Sequence, residues 1–316
     1  MKKLIYRVAI AFLGLCILLA IGAYFIATDR TRHANNQIPD VSLRDPGYRA
    51  CFQITKIHDS GQLWYQRGWS GDVSIYKYRL TTDGSGSSCM TFWFGTDKYG
   101  RDVWSRILVG LRYTLIIGLG AVLFSLVIGM LLGSLAGYFG GKTDQLISIL
   151  INVFWSLPTI LLAFAIILSF GRSMVSLFIA IGLTMWGDVA RLVRAQVLAS
   201  REMVYVQAGK ALGFSDVRIL FRQILPNIMG PVWVAASGNF ALAVLLESGL
   251  SFLGFGLQPP VPSLGNILQE QYSYAISGKP MLALIPSIVV VLLILSFQVI
   301  TSQLRDQTDV RMSKQR

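Results

Sequence analysis

Charge is scarce in this 316-residue chain: Asp, Glu, Lys and Arg together make up 14% of it, against roughly 25% in ordinary soluble domains. Histidine is scarcer still. The two present, His33 and His58, lie in one polar stretch, and no Ser, His and acid set accompanies them, which argues against triad hydrolysis. The three cysteines are scattered at 16, 51 and 89, so no Cys, His and carboxylate cluster suggests a metal site. What abounds is apolar. Hydrophobic residues reach 53% and the mean hydropathy is +0.57, an excess that needs lipid to face.

The apolar residues fall in runs close to the roughly 20 residues that cross a hydrocarbon core. The first, 4–27, follows Lys2 and Lys3 and is too long for the core of a cleaved signal, so it reads as an uncleaved anchor. Five more follow at about 113–138, 145–169, 173–193, 229–250 and 281–303. Each is expected to be helical, because backbone in lipid must satisfy its own N–H and C=O groups. The expected fold class is an all-α membrane protein of six transmembrane helices with both termini cytoplasmic. Charge agrees: the segment between the fourth and fifth runs carries Arg191, Arg194, Arg201, Lys210, Arg218 and Arg222 against Glu202 and Asp216, and the tail carries Arg305, Arg311, Lys314 and Arg316. The net charge of +12 is spread between apolar runs rather than gathered in a basic stripe, which argues against nucleic acid as a partner.

Residues 28–94 are polar and aromatic, with turn signals at Asp45-Pro46-Gly47, Ser60-Gly61, Ser70-Gly71 and Asp83-Gly84-Ser85-Gly86. They read as a small extracytoplasmic insert after the first helix, with a β-rich run at 73–80 and a hairpin. Cys51 and Cys89 both fall there. In an oxidising compartment a disulfide and two free thiols both stand open. The organisation is therefore an anchor helix (1–27), the insert with a lead-in helix (28–112), a transmembrane domain with a helical loop at about 200–226 (113–303), and a cytoplasmic tail (304–316).

That loop is long and amphipathic for a membrane protein. It reads as one helix over 201–212, Gly213 at the left-handed position that ends it, and a second helix capped by Ser215 and ending before Pro226. Its residues Glu202, Gln207, Ala208, Gly209 and Gly213, followed by Ile224-Leu225-Pro226, resemble the EAA loop of ABC-importer permeases, with Gln207 where Glu is expected and Gly209 where the second Ala is expected. The resemblance is to the C-type subunit of the oligopeptide and dipeptide branch and runs from about 94 to 303. Gly95-Thr96-Asp97-Lys98-Tyr99-Gly100-Arg101-Asp102 resembles the stretch before the second helix of that subunit. Asp97 and Gly100 suit a tight turn and Asp102 a helix start, so a local role explains them as well as substrate contact does. Ser251-Phe252-Leu253-Gly254-Phe255-Gly256-Leu257-Gln258-Pro259-Pro260, with Pro262, Ser263 and Gly265, resembles the outer-mouth segment, with Leu264 where an aromatic is common.

The resemblance implies a bacterial inner-membrane permease that moves peptides by alternating access and is not itself an enzyme. It implies a homologous second permease subunit, two cytoplasmic ABC ATPase subunits and an extracytoplasmic substrate-binding protein as partners, beside membrane lipid. The ATPases would dock on Glu202, Gln207, Ala208, Gly209, Gly213, Ser215, Asp216, Ile224, Leu225 and Pro226. No cofactor is expected. The phosphate-loop-like run 136–143, Ala-Gly-Tyr-Phe-Gly-Gly-Lys-Thr, follows a membrane span rather than a strand, so Gly140, Gly141 and Lys142 read as a turn. Asp188 and Glu247 lie in or at the ends of spans, where ionisable groups are often functional; the alternatives are Asp188 paired with Arg191 and Glu247 at the outer interface. Pro158 predicts a kink in the third span. The rival class, a gradient-driven transporter or channel, predicts paired repeats and broken helices. No such repeats are seen in the sequence.

Overall fold

A computed structural model describes residues 2–58, 61–62, 64–81 and 88–314. Ser60 and the turn expected at 83–86 lie outside the described residues, as do Arg316 and the side chains of Arg311 and Lys314.

The chain is mostly helical. Its first helices are α1 (Lys2–Ile21) and α2 (Ala23–Ile26), followed by a short 3-10 turn at Pro39–Val41. A sheet-bearing region comes next: β1 (Tyr48–His58), α3 (Trp64–Ser70), β2 (Ile75–Leu80) and β3 (Ser88–Phe92). After it run α4 (Val103–Phe139), α5 (Gly141–Ser156), α6 (Thr159–Phe170), α7 (Met174–Arg201), α8 (Val204–Ala211) and α9 (Asp216–Ile219). A π-turn at Leu220–Ile224 leads into α10 (Leu225–Phe252), then α11 (Leu264–Ile276) and α12 (Met281–Lys314).

Among the described residues five helices are long and apolar enough to cross a membrane: Lys3–Ile21, Val103–Phe139, Met174–Arg201, Asp216–Phe252 and Met281–Asp306. The third expected span is not a single helix. It divides into α5 and α6, which meet at 93° and could count together as a sixth crossing. Pro158 is the cause: it pushes the preceding Leu157 to extended backbone (φ −94°, ψ 134°), so α5 must stop there and α6 restarts one residue after the proline.

Two compact units divide the chain. One comprises residues 11–116 and 248–293. Its antiparallel sheet has the order β2-β1-β3, a β exception in a mostly α chain, with the expected strand at 73–80 starting at Ile75. Inward-facing Ala50, Phe52 and Phe92 pack on Ile38 and Val41, and Phe52 meets Tyr78 and Phe92 edge-on. Cys51 and Cys89 are register partners across β1 and β3 and are joined by a disulfide.

The same unit buries a four-member ion cluster. Arg101 Nε lies 2.6 Å from Asp97 Oδ2 and its other end pairs with Glu270 of α11, while Arg106 Nη1 lies 3.3 Å from Asp97 and 3.1 Å from Glu270. Two cations and two carboxylates balance, which is the condition under which burial of charge is tolerated. Asp97 also accepts the backbone N–H groups of Tyr99 and Arg101, closing the tight turn. Gly100 there has φ +71°, and an added Cβ would fall 1.8 Å from Ile38 O. Asp102 accepts from the Ser105 N–H at the start of α4. Ser263 likewise caps α11, accepting from the Asn266 N–H.

The other unit comprises residues 1–10, 117–247 and 294–316. Within it α4 packs on α7 through Gly129, Gly133 and Gly137, spaced four apart on one face. A Cβ on these would lie 2.6 Å from Val189 Cβ, 2.4 Å from Ala190 O and 2.8 Å from Arg194 O respectively. Small residues at this spacing let membrane helices approach backbone to backbone.

Candidate coupling site

The 202–226 segment begins where α7 ends. Glu202 is the C-cap residue of α7, and Met203, with extended backbone (φ −76°, ψ 147°), is the N-cap of α8. The first helix expected over 201–212 is therefore broken off from α7 and spans only Val204–Ala211. Its end is a Schellman motif. Gly213 has φ +76°, its N–H donates to Lys210 O at 2.9 Å, and the Phe214 N–H donates to Gly209 O at 3.1 Å.

Ser215 has N-cap backbone, yet its side chain makes no capping hydrogen bond. Asp216, the next residue, instead accepts a 2.6 Å hydrogen bond from the Tyr138 hydroxyl of α4. Nor does a second helix end before Pro226. The chain runs from α9 through the π-turn into α10, with the Leu225 N–H reaching back five residues to Leu220 O. A proline has no N–H and its ring crowds the carbonyl four residues earlier. The widened turn just ahead of Pro226 is one way a helix accommodates such a residue.

Glu202, Gln207, Ala208, Gly213, Ser215, Asp216 and Pro226 are exposed, Leu225 is half-buried, and Gly209 and Ile224 are buried. Gly209 is small for a reason: a Cβ would meet Gln223 Oε1 at 2.8 Å. Gln207 Nε2 donates to Glu202 O at 3.2 Å, which ties the two together. Val206, Ile219, Leu220 and Ile224 form the inward face. Outward, Met203, Val204, Leu212, Val217 and Phe221 are all more than half exposed, with Val204 at 81% and Leu212 at 72%.

Sequence reasoning missed the residues that fasten this segment. Arg201 Nη1 donates to Tyr138 O at 3.1 Å, and Lys210 Nζ sits 5.7 Å from the Tyr138 ring. Arg194 pairs with Asp144 through both ends of its fork, the Nη2–Oδ2 contact being 2.7 Å. Charged and phenolic residues at span ends were the available signal, but nothing in the sequence pairs them. Gly140 (φ +66°) and Gly141 (φ +54°) turn the chain between α4 and α5, and the helix preceding them denies the run 136–143 the strand a phosphate loop needs.

Elsewhere, Glu247 is fully buried in α10. Among the described residues Arg191 does not form a salt bridge with Asp188; it lies 3.7 Å over the Trp155 ring and reaches Asn152 Oδ1 at 3.4 Å. Leu264, at the first position of α11, is fully buried and donates its N–H to Thr114 Oγ1.

A set of membrane-crossing helices with a helical loop fastened between two of them is the frame of a transporter subunit. Residues 129–313 match the family described as the binding-protein-dependent transport system inner membrane component, and the chain belongs to that family. It is thus a multi-pass component of the bacterial inner membrane, of a family of transport permeases rather than catalytic enzymes. The dipeptide transport system permease protein DppC of Alkalihalophilus pseudofirmus is 40% identical over 220 residues, covering 70% of this chain and 72% of that protein. The glutathione transport system permease protein GsiD of Pectobacterium atrosepticum is 35% identical over 251 residues, 79% of this chain and 82% of that one. The oligopeptide transport system permease protein OppC of Bacillus subtilis is 33% identical over 222 residues, 70% and 72% of the two chains. Among solved structures, the inward-facing MetNI methionine ABC transporter aligns with TM-score 0.48 and 21% identity, over 63% of this chain and 95% of that one.

Proposed function

We propose that this chain is one permease subunit of an ATP-driven importer of di- or oligopeptides. It forms part of the translocation path with a homologous second permease, and its 202–226 segment docks on cytoplasmic ATPase subunits, two in the assembly. A binding protein delivers substrate from outside. Six crossings, with α5 and α6 counted together, put both termini in the cytoplasm and the sheet-bearing region of 28–94 outside. The relatives named for dipeptide, glutathione and oligopeptide transport support the substrate class.

The observation that carries the coupling role is the outward apolar surface of Val204, Leu212, Val217 and Phe221, on a segment whose inward face is packed and hydrogen-bonded to α4. Several large apolar side chains exposed on one short segment are what a protein partner covers. Closure of the ATPases then moves α8 and α9 as a lever. The pull reaches α4 through Tyr138 and Arg201, and α7 directly.

The test is co-purification of the tagged chain from native membranes, with ATP hydrolysis measured on the complex and on Gly213→Val. Recovery of a second permease and an ATPase, with assembly or coupled hydrolysis lost in the variant, supports the reading. Recovery of the chain alone as a stable oligomer, without ATPase, would replace the importer by a gradient-driven transporter.

A further inference from the structure

Asp188 sits near the middle of α7, 14 residues from Met174 and 13 from Arg201, hence about 20 Å of helix from either end. It is exposed. Thr184, Asp188, Arg191 and Ala195 recur at helical spacing and form one polar and small-residue stripe. On α5 and α6 many exposed positions are apolar, among them Leu146, Ile149, Val153, Ile160 and Leu168, as a lipid-facing surface requires. Asp188 lies five residues from the end of the apolar run 173–193 and three from Arg191, and a carboxylate turned into hydrocarbon is costly even near a span end. The Asp188 stripe therefore faces water or protein.

Beside it the break between α5 and α6 opens a cavity of about 230 Å³ lined by Phe154, Trp155, Leu157, Thr159, Thr184 and Asp188. Among the described residues no cation lies within ion-pair distance of Asp188. The nearby Arg191 lies over the Trp155 ring and reaches Asn152, its charge still felt at Asp188, and the Trp155 side chain hydrogen-bonds the carboxylate. The cavity thus presents one carboxylate, two threonine hydroxyls and aromatic walls. Its volume matches about eight waters at roughly 30 Å³ each, enough for an ammonium group and its first carbons and too little for a whole oligopeptide.

We propose that this cavity is a subsite of the translocation path that takes the terminal ammonium of the passing peptide, with Asp188 as its counter-charge and Thr184 and Thr159 as further oxygen acceptors. The assignment deepens the peptide-permease reading and rests on it. The Pro158 break is what gives the subsite its room, since a continuous helix from 141 to 170 would carry its side chains straight past Asp188.

The experiment uses Thr184→Cys in a Cys16→Ser background, expressed as the full chain with its complex in inside-out and right-side-out membrane vesicles. The thiol introduced by Thr184→Cys is treated with a membrane-impermeant trimethylammonium thiosulfonate or its sulfonate counterpart. The expected result is modification faster by the cation by roughly tenfold, the low end of what a focused charge produces, with the preference lost on adding Asp188→Asn. Ala-Ala should slow the reaction and N-acetyl-Ala-Ala should not. A cysteine unreactive from both sides, no cation preference, equal protection by both peptides, or protection by neither would overturn the subsite. Uptake of labelled Ala-Ala by vesicles carrying the unsubstituted chain with its complex tests the peptide reading separately: its absence beside an intact, Asp188-dependent cation preference in the cysteine variant would fault the substrate class and not the charge site.

Discussion

The Tyr138 hydroxyl donates a 2.6 Å hydrogen bond to Asp216 Oδ1, joining the last turn of α4 to the first turn of α9, 78 residues on. A carboxylate acceptor makes this one of the stronger hydrogen bonds. Tyr138→Phe removes only the hydroxyl. The expected cost is about 1–2 kcal/mol, too little to unfold the chain, with ATP hydrolysis less responsive to substrate in the isolated complex. Equal substrate stimulation in the variant and the parent would show that the link carries no motion.

Gly213 holds φ +76° in open space, since no atom lies within 4 Å of an added Cβ. Substitution there acts through backbone strain alone, about 1–2 kcal/mol for an ordinary L residue. Gly213→Asn, which tolerates this conformation, should retain most of the co-purified ATPase that Gly213→Val loses.

Gly133 is the tightest of the α4–α7 contacts, with Ala190 O at 2.4 Å from a built Cβ. Gly133→Val must push the helices apart, at a cost of about 1–3 kcal/mol. A lower melting temperature in detergent is expected, whereas Gly141→Ala, which meets nothing within 4 Å and differs in straining only its own backbone, should lower it less.

Burial raises the pKa of three carboxyls outside the spans. Asp102 is pushed up to about 6 by desolvation against the hydrogen bonds from Ser105; Asp29 and Glu270 are raised, again chiefly by burial. A folded-state value above the unfolded one means the fold favours the protonated acid. The associated stability is fully present below about pH 4, the unfolded value, and is lost as pH rises through about 6 for Asp102. Thermal unfolding of the chain in detergent should therefore show a decline over this window that Asp102→Asn flattens. A flat parent profile would remove Asp102 as its source.

Glu270→Gln leaves Arg101 and Arg106 sharing Asp97 alone. Breaking one partner out of a buried charge set costs roughly 3–5 kcal/mol, so a large fall in melting temperature is expected. Asp45→Asn, whose side chain is mostly exposed and pairs with Lys279, should change little.

Much of the fold was legible because lipid imposes a coarse requirement. Runs long enough to cross marked all the long helices, and positive φ at Gly213 followed from its place at the end of a helix-prone segment. The errors share a cause too. The 145–169 run is apolar throughout, so hydropathy could not distinguish a kink from a 93° break at Pro158. Pro226 reads as a terminator locally, but a π-turn absorbs it and the helix continues.

By itself the sequence determined that the chain enters a membrane, roughly where it crosses, and which loop resembles a coupling segment, because hydropathy and motif spacing are properties of consecutive residues. Only the tertiary structure decided that Tyr138 meets Asp216, that Arg101 and Arg106 share Asp97 and Glu270, and that Asp188 borders a cavity. Apart from the local Asp97 contacts, those relationships join residues tens to more than a hundred positions apart. A charge or hydroxyl written in sequence carries no record of the partner that burial will bring to it.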